Sequence, residues 1–274
     1  MTDLWLVDAF TDRPFSGNPA GVVRRPAGPV DAEHAQRVAA ELGYSETAVV
    51  HPEEDGWRLR WWTPSTEVDL CGHATLATAE VLYLTDAVPL DQPIRFLTRS
   101  GVLSASRDGQ DRVWLDLPAW PVAPHPSSLP SPLPAPGGVP ALLGGVAGEY
   151  LGRTRVTQAN DVVEVADVTA LDAIHPDVEA IAALGSGGLI VLSPGEDTDV
   201  AMRYFAPALG VAEDPVTGSA ACTIAPLWSD RVGRSELTIE QRSARGGRLW
   251  TRIVGDRVHV AGHAVITVAG ELRI

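Results

Sequence analysis

The chain states one pattern twice, about 142 to 146 positions apart. The first copy runs AEHAQRVAAELG, ETAVVHP, an EEDG turn, RLRWWTP and STEVDLCGHATLA. The second runs HPDVEAIAALG, GLIVLSP, a GEDTD turn, VAMRYFAP and ALGVAEDPVTGSAACTIA. Leu42-Gly43 falls on Leu184-Gly185, Arg60 on Arg203, Pro64 on Pro207, and Gly72-His73 on Gly218-Ser219. A period of this length is too long for a solenoid and predicts two similar domains in one chain. With 274 residues, 45% of them hydrophobic, the chain can fill two cores of roughly 130 residues each. The boundaries read as an N-terminal domain over 1–120, a proline-rich linker over 121–141 and a C-terminal domain over 142–274. The last strand of the second domain is one that can cross to the first. Two domains with matching polar turns can face them into one shared cleft, and function is expected there.

Charge and residue usage remove several classes of activity. A net charge of −14 argues against a nucleic-acid partner, which requires clustered cations. There is no long apolar run that would cross a membrane and no basic leader, so the chain reads as a soluble cytoplasmic protein. Two cysteines, Cys71 and Cys222, imply no disulfide framework. All 21 basic residues counted as Lys or Arg are arginine, which excludes a lysine Schiff base and a Walker-type phosphate loop. Gly185-Ser186-Gly187-Gly188 follows a helical pattern and precedes a strand, the reverse of a dinucleotide fingerprint, and reads as a helix C-terminal turn. Cys71 and His73 are two metal donors in tight spacing, whereas a closed zinc site needs four and a catalytic one three. No cofactor and no metal are expected.

Periodicity places the remaining motifs. LWLVDAF (4–10) and AGVVRR (20–25) read as strands around the loop TDRPFSGNP. Asp31 to Leu42 carries apolar residues at helical spacing, with a capping aspartate before it and Gly43 after it. ETAVVHP and WRLRWWTP read as a hairpin, in which Trp61 and Trp62 are expected to place one ring inside and one outside. Gly72 to Leu84 is apolar on all faces, which predicts a buried helix; 218–228 repeats it. Both helices begin at a glycine followed by a small polar residue, Gly72-His73 and Gly218-Ser219. A helix N-terminus offers unsatisfied N–H groups and about half a positive charge, a prepared seat for a carboxylate.

Differences between the copies mark asymmetric chemistry. Cys71 matches Thr217, His73 matches Ser219, Glu46 matches Gly188, and Asp214 has no acidic counterpart, its partner position being Val68. A glutamate in a pocket can have its pKa raised from about 4.3 towards 6–7, where it both removes and returns a proton. Glu46 stands where its strand enters a core, the place for such a base. Asn18 fits a turn-stabilising side chain that can also reach a ligand. His34, His51, His125, His175 and His259 have no supporting context, and His263 sits in a terminal strand and reads as structural.

Four segments, FSGNPAGVV (15–23), SETAVV (45–50), TPSTEVDLCGHATLA (63–77) and EDPVTGSAA (213–221), occur in order across nearly the whole chain. Together they resemble the PhzF-like family, named for the phenazine-biosynthesis isomerase. That resemblance implies a diaminopimelate-epimerase-like α+β fold: two pseudo-symmetric domains, each a barrel-like mixed β-sheet around a central helix. It further implies a homodimer that moves a proton at carbon of a small carboxylate substrate without a cofactor. By motif, Glu46 would be the general acid/base. His73, Asp214, Ser219 and Ser45 would bind the substrate, with backbone at Gly72 and Gly218. Asn18, Cys71 and Thr217 are secondary candidates. Related two-base epimerases place one cysteine before each central helix; here Cys71 holds the first position and Thr217 the second, so the pair is broken. Cys222, inside the second helix, is expected to face the core. Two alternatives stay open: a one-thiol racemase or dehydratase using Cys71, and a non-catalytic carboxylate-binding protein of the same fold.

Overall fold

The computed structural model describes residues 2–26, 28, 31–124, 133, 137–156 and 159–273. The chain divides into two units, Met1–Leu117 with His259–Ile274, and Pro118–Val258. The second unit therefore starts at Pro118, ahead of the expected linker, and residues 259–274 belong with the first unit. Most of the expected linker, including His125, lies outside the described residues.

In the first unit, β1 (Thr2–Ala9) pairs antiparallel with β2 (Asn18–Arg24). Helix α1 (Ala32–Leu42) follows. The Asp31 carboxylate accepts a hydrogen bond from the Glu33 N–H at its start, and Gly43, at φ 68°, ends it. β3 (Glu46–Glu53) returns parallel to β2, β4 (Gly56–Trp62) runs antiparallel to β3, and the short β5 (Glu67–Val68) pairs with the end of β4. Helix α2 (Gly72–Leu84) has the span expected from its apolar pattern, and every residue from His73 to Tyr83 is buried. β6 (Ile94–Thr98) lies parallel to β4, and β7 (Gly101–Arg107) and β8 (Val113–Pro118) continue the ladder antiparallel. Each parallel step, β2 to β3 and β4 to β6, is made through a helix, as crossover geometry requires.

The second unit comprises β9 (Val122–Pro124), α3 (Gly138–Leu142), β10 (Gly148–Thr154), β11 (Asn160–Val165), α4 (Val168–Asp172) and α5 (Val178–Ala182). β12 (Gly188–Pro194), β13 (Val200–Phe205), α6 (Gly218–Val232), β14 (Glu236–Gln241) and β15 (Gly247–Val254) follow. Its ladder repeats the first: β10–β11 antiparallel, β11–β12 parallel, β12–β13 antiparallel, β13–β14 parallel, β14–β15 antiparallel. The repeat read from the sequence is thus a repeat of topology. The chain then returns. β16 (Arg257–Gly262) pairs with β8, and β17 (Ala264–Leu272) runs antiparallel to β1, so the first unit's ladder comes back towards the strand it started from.

Three expectations need correction. Trp61 and Trp62 are both buried, at 1% exposure each, because both faces of β4 are covered; Trp62 packs with Val38 and Ala39 beneath α1. The helix expected over HPDVEAIAALG shrinks to the five residues of α5, capped by Asp177 and preceded by the separate α4. Helix α6 runs past the expected end to Val232, carrying Pro226 within it, and stops at Gly233 in the left-handed conformation. Among the described residues no helix is long and apolar enough to cross a membrane.

The β7–β8 turn is held by one carboxylate. Burial pushes the Asp108 pKa up. The Trp114 ring N–H, the Arg112 guanidinium and the backbone N–H groups of Arg112 and Gln110 outweigh it and bring the value down to about 2. A depressed carboxylate pKa contributes stability above the unfolded value that is lost as pH falls through the folded one. Asp108→Asn should lower stability by about 1–2 kcal/mol at neutral pH in denaturant titrations. The gap to the unaltered protein should close between pH 4 and about 2; a gap that stayed constant over that range would contradict the assignment.

Candidate active site

Four sequence-predicted residues of the first unit meet at the start of α2. Glu46 is the first residue of β3, and its Oε2 lies 3.3 Å from His73 Nε2. Asn18, the first residue of β2, places its amide nitrogen 3.3 Å from His73 Nδ1. Cys71 Sγ lies 3.5 Å from the same ring nitrogen. With the Asn18 amide donating to Nδ1, the ring proton stands on Nε2 and points at the Glu46 carboxylate. His73 is 7% exposed at its side chain and Glu46 20%, so the imidazole is enclosed while the carboxylate keeps an open side.

The loop before Asn18 is built to deliver it. Asp8, buried on β1, accepts a hydrogen bond from the Phe15 N–H at 2.7 Å. Phe10 and Phe15 both take positive φ, at 63° and 65°. Gly17 turns the chain at φ 67°, where a Cβ would stand 2.2 Å from the Ala9 carbonyl. Backbone held so tightly, with non-glycine residues in the left-handed region, is characteristic of functional loops. The sequence makes Asn18 a turn residue that can also reach a ligand; its contact with His73 comes from β2 and β3 being parallel neighbours, so that both strands start at the same end of the sheet.

In the second unit the corresponding end holds Asp214, Thr217, Gly218 and Ser219. Thr217 is the N-cap of α6, as Cys71 is of α2, and neither side chain turns back to cap its helix. The Thr217 hydroxyl donates instead to the Asp214 carboxylate. The first N–H groups of both helices are therefore left unclaimed by their N-caps. Gly218 opens the helix, and Ser219 beside it is half-buried. Gln241, which no sequence reasoning singled out, reaches this turn: its Oε1 accepts from the Thr217 N–H at 2.7 Å and its Nε2 donates to the Asp214 carbonyl at 2.7 Å. Ser45 lies in the bend before β3, and no contact to the Glu46–His73 group is among its described bonds. Cys222 is buried in α6, and burial pushes its thiol up to about 12, which leaves it a core residue.

Around these groups the two units share a frame. Arg60 makes a forked pair with Glu67, and Arg203 makes the same pair with Glu213. Each guanidinium also lies over an aromatic ring, Trp62 and Phe205 respectively. The Ser100 hydroxyl donates to the Asp69 carbonyl at 2.6 Å, and the Ser243 hydroxyl to the Pro215 carbonyl at 2.7 Å. Both serines hold the turn that leads into a central helix. The signal for them was in the sequence: Arg99-Ser100 recurs as Arg242-Ser243.

Glu46, Cys71 and His73 offer donor atoms that all lie within 4.8 Å of one another, so the donor pair read from the sequence becomes three. That number suffices for a catalytic zinc site and falls short of a closed one. A cavity of about 240 Å³ lies elsewhere in the first unit, lined by Val23, Arg25, Asp31, His34 and Val49 among others, and no candidate residue borders it.

Comparison with known proteins places the chain in a family. The family model for phenazine biosynthesis-like proteins, PhzC-PhzF, matches residues 7–270. The chain belongs to that family. An uncharacterised isomerase of Pseudomonas aeruginosa is 44% identical over 268 residues, which cover 98% of this chain and 97% of the relative. A PhzF-family protein of Enterococcus faecalis has a crystal structure that superposes with a TM-score of 0.88 at 33% identity, covering 100% of this chain and 99% of that one. A hydroxyproline epimerase from Agrobacterium vitis, at 12% identity and a TM-score of 0.57 over 98% of this chain and 91% of its own, shares the fold alone. The fold is thus the mixed α+β arrangement of sheet and central helix found in PhzF proteins and epimerases.

Glu46 has no counterpart in the second unit, and packing shows why. Gly188 starts β12 as Glu46 starts β3, each beside a parallel neighbour. A Cβ at Gly188 would stand 2.6 Å from the Tyr204 hydroxyl and 2.8 Å from the Phe205 carbonyl. That hydroxyl is itself fixed by donating to Asn160 Oδ1 at 2.9 Å. Gly188→Ala should therefore destabilise the protein by about 1–3 kcal/mol in chemical denaturation. An unchanged midpoint would show that the space is not closed.

Proposed function

We propose that this protein is a cofactor-independent isomerase or epimerase that moves a proton at carbon of a small carboxylate, with Glu46 as general acid and base. The observation that carries this reading is the Glu46 carboxylate, part-exposed and 3.3 Å from an enclosed His73 at the start of a buried helix whose N-cap leaves its N–H groups open. In the proposed step, the Glu46 carboxylate takes a proton from carbon, and the electron pair left behind spreads towards the substrate carboxylate. Helix N–H groups directed at that carboxylate stabilise the added charge where it develops. Glu46 then returns the proton to a different position or face. His73 orients Glu46, and Asn18 orients His73. Asp214 and the Gly218-Ser219 end of α6 are proposed, from the repeat in the sequence, to bind a substrate carboxylate in the same way. The names of the Pseudomonas relatives, isomerases by description, point the same way.

The test uses solvent as the label. Incubated in heavy water with a metabolite extract, the protein should place deuterium into one or a few small carboxylates, read as a mass gain. Glu46→Gln should lower that incorporation by about 10²-fold or more, while binding of the same carboxylate stays measurable. No mass gain with the unaltered protein would favour the ligand-binding alternative. Full incorporation by the variant would remove Glu46 from the mechanism.

The three clustered donors at Glu46, Cys71 and His73 favour a second reading, metal-assisted chemistry. Treatment with a chelator separates the two. Incorporation should survive chelation unchanged, whereas loss on chelation and recovery with a divalent cation would establish the metal reading.

A further inference from the structure

Gln241 is the last residue of β14 and is fully buried, at 0% exposure. Its amide meets the turn before α6 from one side and makes three contacts there. Oε1 accepts from the Thr217 N–H at 2.7 Å, Nε2 donates to the Asp214 carbonyl at 2.7 Å, and the same Nε2 reaches the Thr217 hydroxyl at 3.3 Å. A backbone N–H can only donate and a carbonyl can only accept, so the amide has one orientation and cannot be flipped. The Thr217 hydroxyl, offered the Gln241 N–H on one side, turns its own proton to the Asp214 carboxylate. One buried side chain thus sets the backbone at both ends of a four-residue turn and the direction of the hydroxyl between them.

This has a consequence for the helix start. Threonine at an N-cap ordinarily bonds to an N–H of its own first turn. Here the hydroxyl is drawn to Asp214, and the helix is left without a side-chain cap. The first unit is built otherwise. Thr98 ends β6 as Gln241 ends β14, but its hydroxyl donates to the nearby Gly101 carbonyl at 2.7 Å. The serine braces are common to both units, whereas the glutamine brace belongs to the second.

We infer that Gln241 is a positioning residue for ligand binding: it holds Asp214 and Thr217 so that the open N–H groups at Gly218 and Ser219 are presented to a carboxylate. The inference rests on the proposed function, which places a carboxylate at this helix start.

Two variants and one plain probe test it. Gln241→Met keeps the volume and removes all three bonds; Gln241→Glu keeps an acceptor for the Thr217 N–H and loses the donor. Amide hydrogen exchange and NMR titration with sodium benzoate are measured on the full chain. In Gln241→Met, the Thr217 amide should exchange about tenfold faster or more while amides of β12 and β13 keep their rates. Benzoate, followed at the amides of Gly218 to Ala220, should bind about tenfold more weakly. Gln241→Glu should leave the Thr217 amide slow and still weaken benzoate. Unchanged benzoate binding in both variants would overturn the inference, and so would acceleration of the β12 and β13 amides by the same factor, which marks a residue serving stability alone. If the unaltered protein takes up no benzoate at these amides, the carboxylate seat of the proposed function fails, whereas an unchanged Thr217 exchange rate in Gln241→Met would refute the hold of Gln241 on the turn by itself.

Discussion

A helix with no polar face cannot lie on a surface, and the rest of this structure follows from that constraint. Helix α2 is buried from His73 to Tyr83, and α6 is nearly as enclosed. Each must be wrapped by sheet, so each unit runs its strands in a mixed ladder with two parallel steps. A wrapped helix can meet a ligand only at an end. The N-terminal ends are where the N-caps leave backbone donors open, and where Glu46, His73 and Asn18 in one unit, and Asp214 and Thr217 in the other, are delivered. The location of the candidate site is set by burial first and by residue identity second.

The two units separate scaffold from chemistry. What repeats is support: the Arg60–Glu67 and Arg203–Glu213 forks, the guanidinium over an aromatic ring, and the Ser100 and Ser243 braces. What does not repeat is the set of groups that would touch a substrate. Glu46 stands where Gly188 stands in the second unit, and the Tyr204 hydroxyl fills the space a side chain would need there. Half-buried ion pairs of this forked kind are better regarded as fixing geometry than as large sources of stability. Their identical placement in both units accords with that role.

Much of this was legible in the amino-acid sequence because it rests on period and on end signals. The α2 span was readable from an apolar run bounded by Gly72, and the α1 span from Asp31 and Gly43. Glu46 and His73 stood out because the copies differ there. What escaped depends on tertiary neighbours. Trp61 and Trp62 look like an inside–outside pair until α1 covers the outer face of β4. The long helix expected before β12 gave way to the five residues of α5, since the local pattern does not reveal how much sheet is available to cover it. Gln241 lies 27 positions from Asp214, and no local spacing connects them; only the parallel pairing of β13 with β14 does. The return of the last strand to the first unit, by contrast, is open to the sequence, although its pairing with β1 is a matter of which strand has a free neighbour.

The most direct test of the central claim is a crystal structure with a small carboxylate bound at the start of α2. The account predicts carboxylate oxygens about 3 Å from the first N–H groups of that helix, with the adjoining carbon facing Glu46 and His73 still against the Glu46 carboxylate. A ligand bound away from that helix start, or one whose reacting carbon is turned from Glu46, would contradict it.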